Sequence, residues 1–183
     1  MASFVSPSAR EAGDSPLFVS SVRKLSTFAG WIAAAMIVCA VAVTCQMIFV
    51  RFVLNGSTVW QTEAVIYLVI SATLIGLPFV QVLRGHVNVD LIPMWLSGNA
   101  RYGLAIMTLS LSCMIVALMF LYGLEFWHHA YASGWRSDTV WSVRLWIPYL
   151  SLPVGFGLFL LQLLADLFVI AIKAEKPFGL EDK

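Results

Sequence analysis

Four long stretches of this chain carry no charged residue at all. They run from Leu25 to Val50, from Ala64 to Leu83, from Tyr102 to Leu124, and from Leu145 to Ala165, the last continuing past Asp166 to Ile172. A helix that crosses about 30 Å of hydrocarbon needs about 20 mostly apolar residues. Each stretch meets that length. None alternates between apolar and polar positions as a barrel strand does. Helices satisfy their own backbone hydrogen bonds, which lipid cannot do for them. The pattern therefore predicts an all-α membrane protein: four transmembrane helices in a bundle, with spans at about 25–50, 64–83, 102–124 and 145–172 and short interfacial helices in the loops. The first run is too long for a secretory signal, whose apolar core is about 7–15 residues. Residues 1–24 and 173–183 read as tails on one side, the first flexible through Ser21.

Punctuation refines the picture. Asn55-Gly56 marks a turn after span one. Thr58-x-x-Gln61 fits a capping box that starts the second helix near Val59. Glu63 then falls in the early turns, where the helix dipole favours a negative charge. Pro78 lies within span two and predicts a kink. Gly85 permits a turn, and Asp90 suits the cap of a short helix over Leu91–Leu96. Pro148 and Pro153 open span four, and Pro153-x-Gly155-x-Gly157 offers small residues where another helix can approach.

Composition agrees with the pattern: 60% of the 183 residues are hydrophobic and 11% charged. A water-facing domain carries about 25% charged residues, so lipid must cover most of this surface. The cationic residues divide unevenly. Arg10, Arg23, Lys24, Arg84, Arg101, Lys173, Lys176 and Lys183 flank one side, against Arg51, Arg136 and Arg144 on the other. The positive-inside rule puts the richer side, and both termini, in the cytoplasm. Trp60, Trp127, Trp135, Trp141 and Trp146 gather on the poorer side. That is where tryptophan anchors to a membrane interface, and equally where a partner protein would dock. The segment Glu125–Arg144 is expected to lie along the membrane surface.

Chemistry is sparse. Cys39, Cys45 and Cys113 sit in apolar runs and read as buried small hydrophobes. His86, His128 and His129 are expected in loops, so no pair is placed to ligate haem within the membrane. No metal site, cofactor motif or catalytic motif is present, and no basic stripe implies nucleic acid. Asp166 is the one carboxylate inside an apolar run. Pairing within the chain, snorkelling to the headgroups and ion coupling all remain open for it.

Three features together resemble a known family, the small integral membrane subunit of tripartite ATP-independent periplasmic (TRAP) transporters. Trp60-x-x-Glu63 heads span two and leads into Tyr67-Leu-Val-Ile. Gly85-His86-Val87-Asn88-Val89-Asp90 follows that span. Pro153-Val-Gly155 opens span four. The resemblance covers about residues 25–172. It implies a bacterial inner-membrane protein that is not an enzyme, with two partners. One is a large membrane subunit holding the substrate and sodium sites, and the other is a soluble periplasmic substrate-binding protein. The cargo it implies is a carboxylate, for example a C4-dicarboxylate. Trp60, Glu63, His86, Asp90, Pro153 and Gly155 become the candidate subunit contacts. The alternative is a membrane-anchor subunit of a respiratory or quinone-linked enzyme, disfavoured by the lack of histidines within the spans.

A reporter fused after Lys183 should be active in the cytoplasm. Activity only on the far side of the membrane would overturn the assigned orientation.

Overall fold

The computed structural model describes residues 17–83 and 98–172. Helix α1 spans Leu17–Phe52 and α2 spans Val59–Val82. Helix α3 spans Gly98–Ala132, a single-turn α4 covers Trp146–Tyr149, and α5 spans Ser151–Ala171. Four segments are long and apolar enough to cross a bilayer: Phe18–Phe52, Val59–Val82, Tyr102–Ala132 and Trp146–Ala171. The all-α, four-span architecture is therefore as the pattern predicts. The segment expected to hold the Leu91–Leu96 helix lies outside the described residues, as do residues 1–16 and 173–183.

Two ends differ from expectation. Helix α1 begins at Leu17, inside the segment read as a flexible tail. The reason is tertiary: Val19 and Val22 are buried against Ala165 and Val169 of α5. Helix α3 continues through Glu125 to Ala132, where a surface loop was expected. His128 and His129 are thus helical, not in a loop. Cys39 and Cys45 are exposed on α1 rather than buried within the chain, and Cys113 is half-buried. In a membrane Cys39 and Cys45 face lipid or a partner.

The turn after α1 forms as expected. Asn55 adopts a left-handed conformation (φ 47°), which asparagine tolerates better than most residues. The N–H of Gly56 then donates to the Val50 carbonyl at 3.1 Å. The capping box does not form. Thr58 is the N-cap residue, but its side chain makes no capping bond. Gln61 is turned inward instead, with only 2% of its surface exposed, and the Thr58 carbonyl accepts from the Thr62 hydroxyl. Pro78 is buried inside α2.

Helices α1 and α2 form an antiparallel hairpin. Helix α5 packs against both, and α3 packs on α5 and α4 while scarcely touching α1 or α2. The central role of α5 shows in its burial: 28% of its core window is covered by the chain, against 11% for α1 and for α3. Glycines permit the closest approaches. A Cβ on Gly155 would stand 2.6 Å from the Leu74 carbonyl oxygen of α2, and one on Gly30 would stand 2.4 Å from the Phe79 ring. Small residues allow such contact between membrane helices, where dispersion attraction replaces the hydrophobic effect. One end of the assembly holds the start of α1 and the end of α5. The other holds the α1–α2 turn and the α3–α4 connection, called here the strap end.

Gly155→Ala should destabilise the detergent-solubilised chain by about 1–3 kcal/mol, because backbone at Leu74 cannot yield as a flexible side chain can. Gly103→Ala, where no atom lies within 4 Å of the added Cβ, should be neutral or slightly stabilising. Thermal unfolding of the two variants checks both.

Candidate functional site

Polar groups inside the spans collect at two places. The first lies toward the terminus end and joins three helices. The Ser26 hydroxyl of α1 donates to Gln162 Oε1 of α5 at 2.9 Å. Gln162 Nε2 donates to Asp166 Oδ1 at 2.8 Å, one helical turn along α5. Gln81 Nε2 of α2 donates to Asp166 Oδ2 at 2.9 Å. Ser26 and Gln162 are almost wholly buried. Both oxygens of the intramembrane carboxylate thus accept amide protons from its own chain. Of the readings open for Asp166, pairing within the chain has this geometry behind it, with amides among its partners. Hydrogen bonds between membrane helices contribute about 0.6 kcal/mol on average, up to about 2. Their chemistry here is structural: they fix the rotation of α1, α2 and α5 relative to one another.

The second place is the strap, residues 133–145, which folds back over the start of α2. Gly134 (φ 60°) and Ser142 (φ 49°) make its reversals. The N–H of Ser137 donates to the Val143 carbonyl at 2.9 Å, and that of Leu145 to the Trp135 carbonyl at 3.0 Å. Between these bonds, Arg136 and Arg144 face each other in an isolated antiparallel bridge. The Ser137 hydroxyl donates to Glu63 Oε1 of α2, while the buried Oε2 has no hydrogen-bond partner among the described residues. Tyr67, one turn further along α2, borders the space below the strap. Trp60 and Trp141 meet edge to face at 6.0 Å between centroids.

Aromatic rings anchor the strap to α3 as well. Phe126 packs on Trp135 and Tyr149. Tyr131 stacks on Trp127 and meets Trp146 edge to face. The indole N–H of Trp127 donates to the Trp146 carbonyl at 3.1 Å. Beneath the strap lies an apolar groove of about 540 Å³, running from Trp141 and Val143 past Tyr67 and Ile147 to Ile75 and Val154. His129 packs edge-on against Trp135. Its neighbour His128 points elsewhere, because consecutive helical positions lie about 100° apart. No group of three metal-ligating residues occurs among the described residues.

The six candidate contacts divide accordingly. Trp60 and Glu63 come together at the head of α2 under the strap, Trp60 with 44% of its surface exposed. Pro153 and Gly155 are buried in α5, with Gly155 against Leu74 of the same chain. His86 and Asp90 lie outside the described residues. Sequence reasoning missed Ser26, Gln81, Gln162 and Ser137. Only Gln162 carried a signal, its spacing of four from Asp166.

A family model described as "Tripartite ATP-independent periplasmic transporters, DctQ component" matches residues 40–172. Among curated proteins none matches the chain.

Ser137→Ala should leave Glu63 with neither oxygen hydrogen-bonded and loosen the strap by about 1–3 kcal/mol. Faster hydrogen exchange across residues 133–145, with α5 unchanged, is the expected result.

Proposed function

The chain belongs to the DctQ-component family of tripartite ATP-independent periplasmic transporters, and from that premise we propose that it is the small, non-translocating membrane subunit of a carboxylate importer. The family match carries this reading. In it the chain is a scaffold and anchor in the bacterial inner membrane, and catalyses no reaction. A large membrane subunit carries the substrate and couples its movement to sodium. A periplasmic substrate-binding protein delivers the cargo, with C4-dicarboxylates as the leading class.

The geometry is in keeping with a static role. Both oxygens of Asp166 accept hydrogen bonds from glutamines of this chain. Helix α5 is wedged among its neighbours at Gly155. A subunit built in this way offers a stiff apolar flank to a partner that moves. Helices α1 and α3 present most of that flank, since little of either is covered by the chain.

Both termini are cytoplasmic in this proposal, so the strap end faces the periplasm. Trp60 makes direct contact there through its exposed edge. Glu63 acts by holding the strap in place. Trp135, Arg136 and Trp141 lie near the docked binding protein. His86 and Asp90 contact the large subunit on the cytoplasmic side. Pro153 and Gly155 act indirectly, by seating α5 against α2 and so fixing the shape of the subunit that the partner meets.

Co-expression with a large membrane subunit of a tripartite ATP-independent periplasmic transporter from the same organism should give one complex that co-purifies through two chromatographic steps. Proteoliposomes should take up a C4-dicarboxylate only when all three components and a sodium gradient are present. Uptake by this chain alone, or failure to co-purify, would remove the proposal.

A further inference from the structure

We propose that the strap is a binding site for an anionic phospholipid, with the phosphate held by Arg136 and Arg144 and an acyl chain lying in the groove beneath. The argument begins with the bridge. Arg136 and Arg144 are directly opposed across two antiparallel segments. The hydrogen bonds fall on their neighbours, Ser137 to Val143 and Leu145 to Trp135. This makes them a non-hydrogen-bonded pair, the kind whose side chains stand closest, with Cα atoms about 4.5 Å apart. Like charges directly opposite one another are destabilising. Among the described residues no carboxylate forms an ion pair with either guanidinium. Both side chains are exposed. An anion between them removes the repulsion, and guanidinium groups match the oxygens of a phosphate.

Depth selects the anion. Arg144 stands two residues before Trp146, where the fourth apolar segment begins. Trp135 and Trp141 lie within the strap, and Trp127 and Trp146 flank it. Tryptophan marks the headgroup level of a bilayer. The anion present there at high concentration is lipid phosphate.

The two sides of the strap then match the two ends of a phospholipid. Side chains alternate along an extended segment. Ser137 turns toward Glu63 of α2, and Val143 lines the groove. Arg136 and Arg144, next in sequence, are turned to the opposite side. One side attracts an anion, and the other borders an apolar trough reaching Ile75 and Val154. The strap is a single bridge wide, so a lipid at its edge can place its phosphate on one side and a chain on the other.

This inference does not depend on the transport reading, and it is tested on this chain alone. The full chain, delipidated in detergent, is titrated with dioleoylphosphatidylglycerol and with dioleoylphosphatidylcholine, and bound lipid is counted by native mass spectrometry. The anionic lipid should bind about 10-fold more tightly or better. Arg136→Gln/Arg144→Gln should weaken it roughly 30-fold, while Arg136→Lys/Arg144→Lys should keep most of the binding. Val154→Trp, which fills the groove from an exposed position, should weaken it with both arginines intact. Unfolding temperature identifies any variant that fails to fold. Equal binding of the two lipids, or no change in the glutamine double variant, overturns the proposal. So does absence of anionic-lipid adducts on the unaltered chain.

Discussion

Hydrocarbon provides no driving force for bringing apolar helices together, because lipid chains solvate leucine as well as another helix does. Every helix contact in this chain must therefore rest on close fit or on a polar bond. Fit is concentrated at Gly155 against Leu74 and at Gly30 against Phe79. Polar bonding is concentrated in the line from Ser26 through Gln162 and Asp166 to Gln81. Both converge on α2 and α5. Helix α3 has neither device toward α1 or α2 and is held through α5, beside Gly123 and Gly157, and through the aromatic contacts of the strap.

Much of the architecture was legible in the sequence because crossing a bilayer is a local requirement. A run of apolar residues long enough to span is visible without knowing what it touches. Helix ends were less legible. Leu17–Lys24 is helical because Val19 and Val22 find Ala165 and Val169 far along the chain. Glu125–Ala132 is helical where its rings meet the strap and α4. The capping box at Thr58 and Gln61 failed for a related reason: the interior drew in the glutamine that the local motif required.

The polar sites follow the same division. The link between Gln162 and Asp166 is a spacing on one helix and can be read from the sequence. The links to Gln81 and Ser26 depend on the rotation of separate helices, which no linear pattern specifies. Likewise Pro153-x-Gly155 announced a close approach, but not that α2 of the same chain would occupy it. At the strap, Glu63 stood out as a charge near a span end. Its serine partner lies 74 residues away, in a loop with no repeating pattern to read. The transporter family, by contrast, was recognisable from short motifs, and the matched region covers three of the four spans in full.

The bond between Ser26 and Gln162 joins residues 136 positions apart. At ribosomal speeds of roughly 5–20 residues per second, the first helix enters the bilayer on the order of 10 s before its partner is made. During that interval Ser26 and Gln81 sit in lipid without the groups that later engage them. The α1–α2 hairpin must persist on its own, with Gly30 already seated against Phe79. The last helix then arrives as a keystone, and insertion finishes by satisfying donors that the earlier helices left waiting. A chain stalled before Gln162 would leave Ser26 and Gln81 without the partners that hold them in the finished bundle.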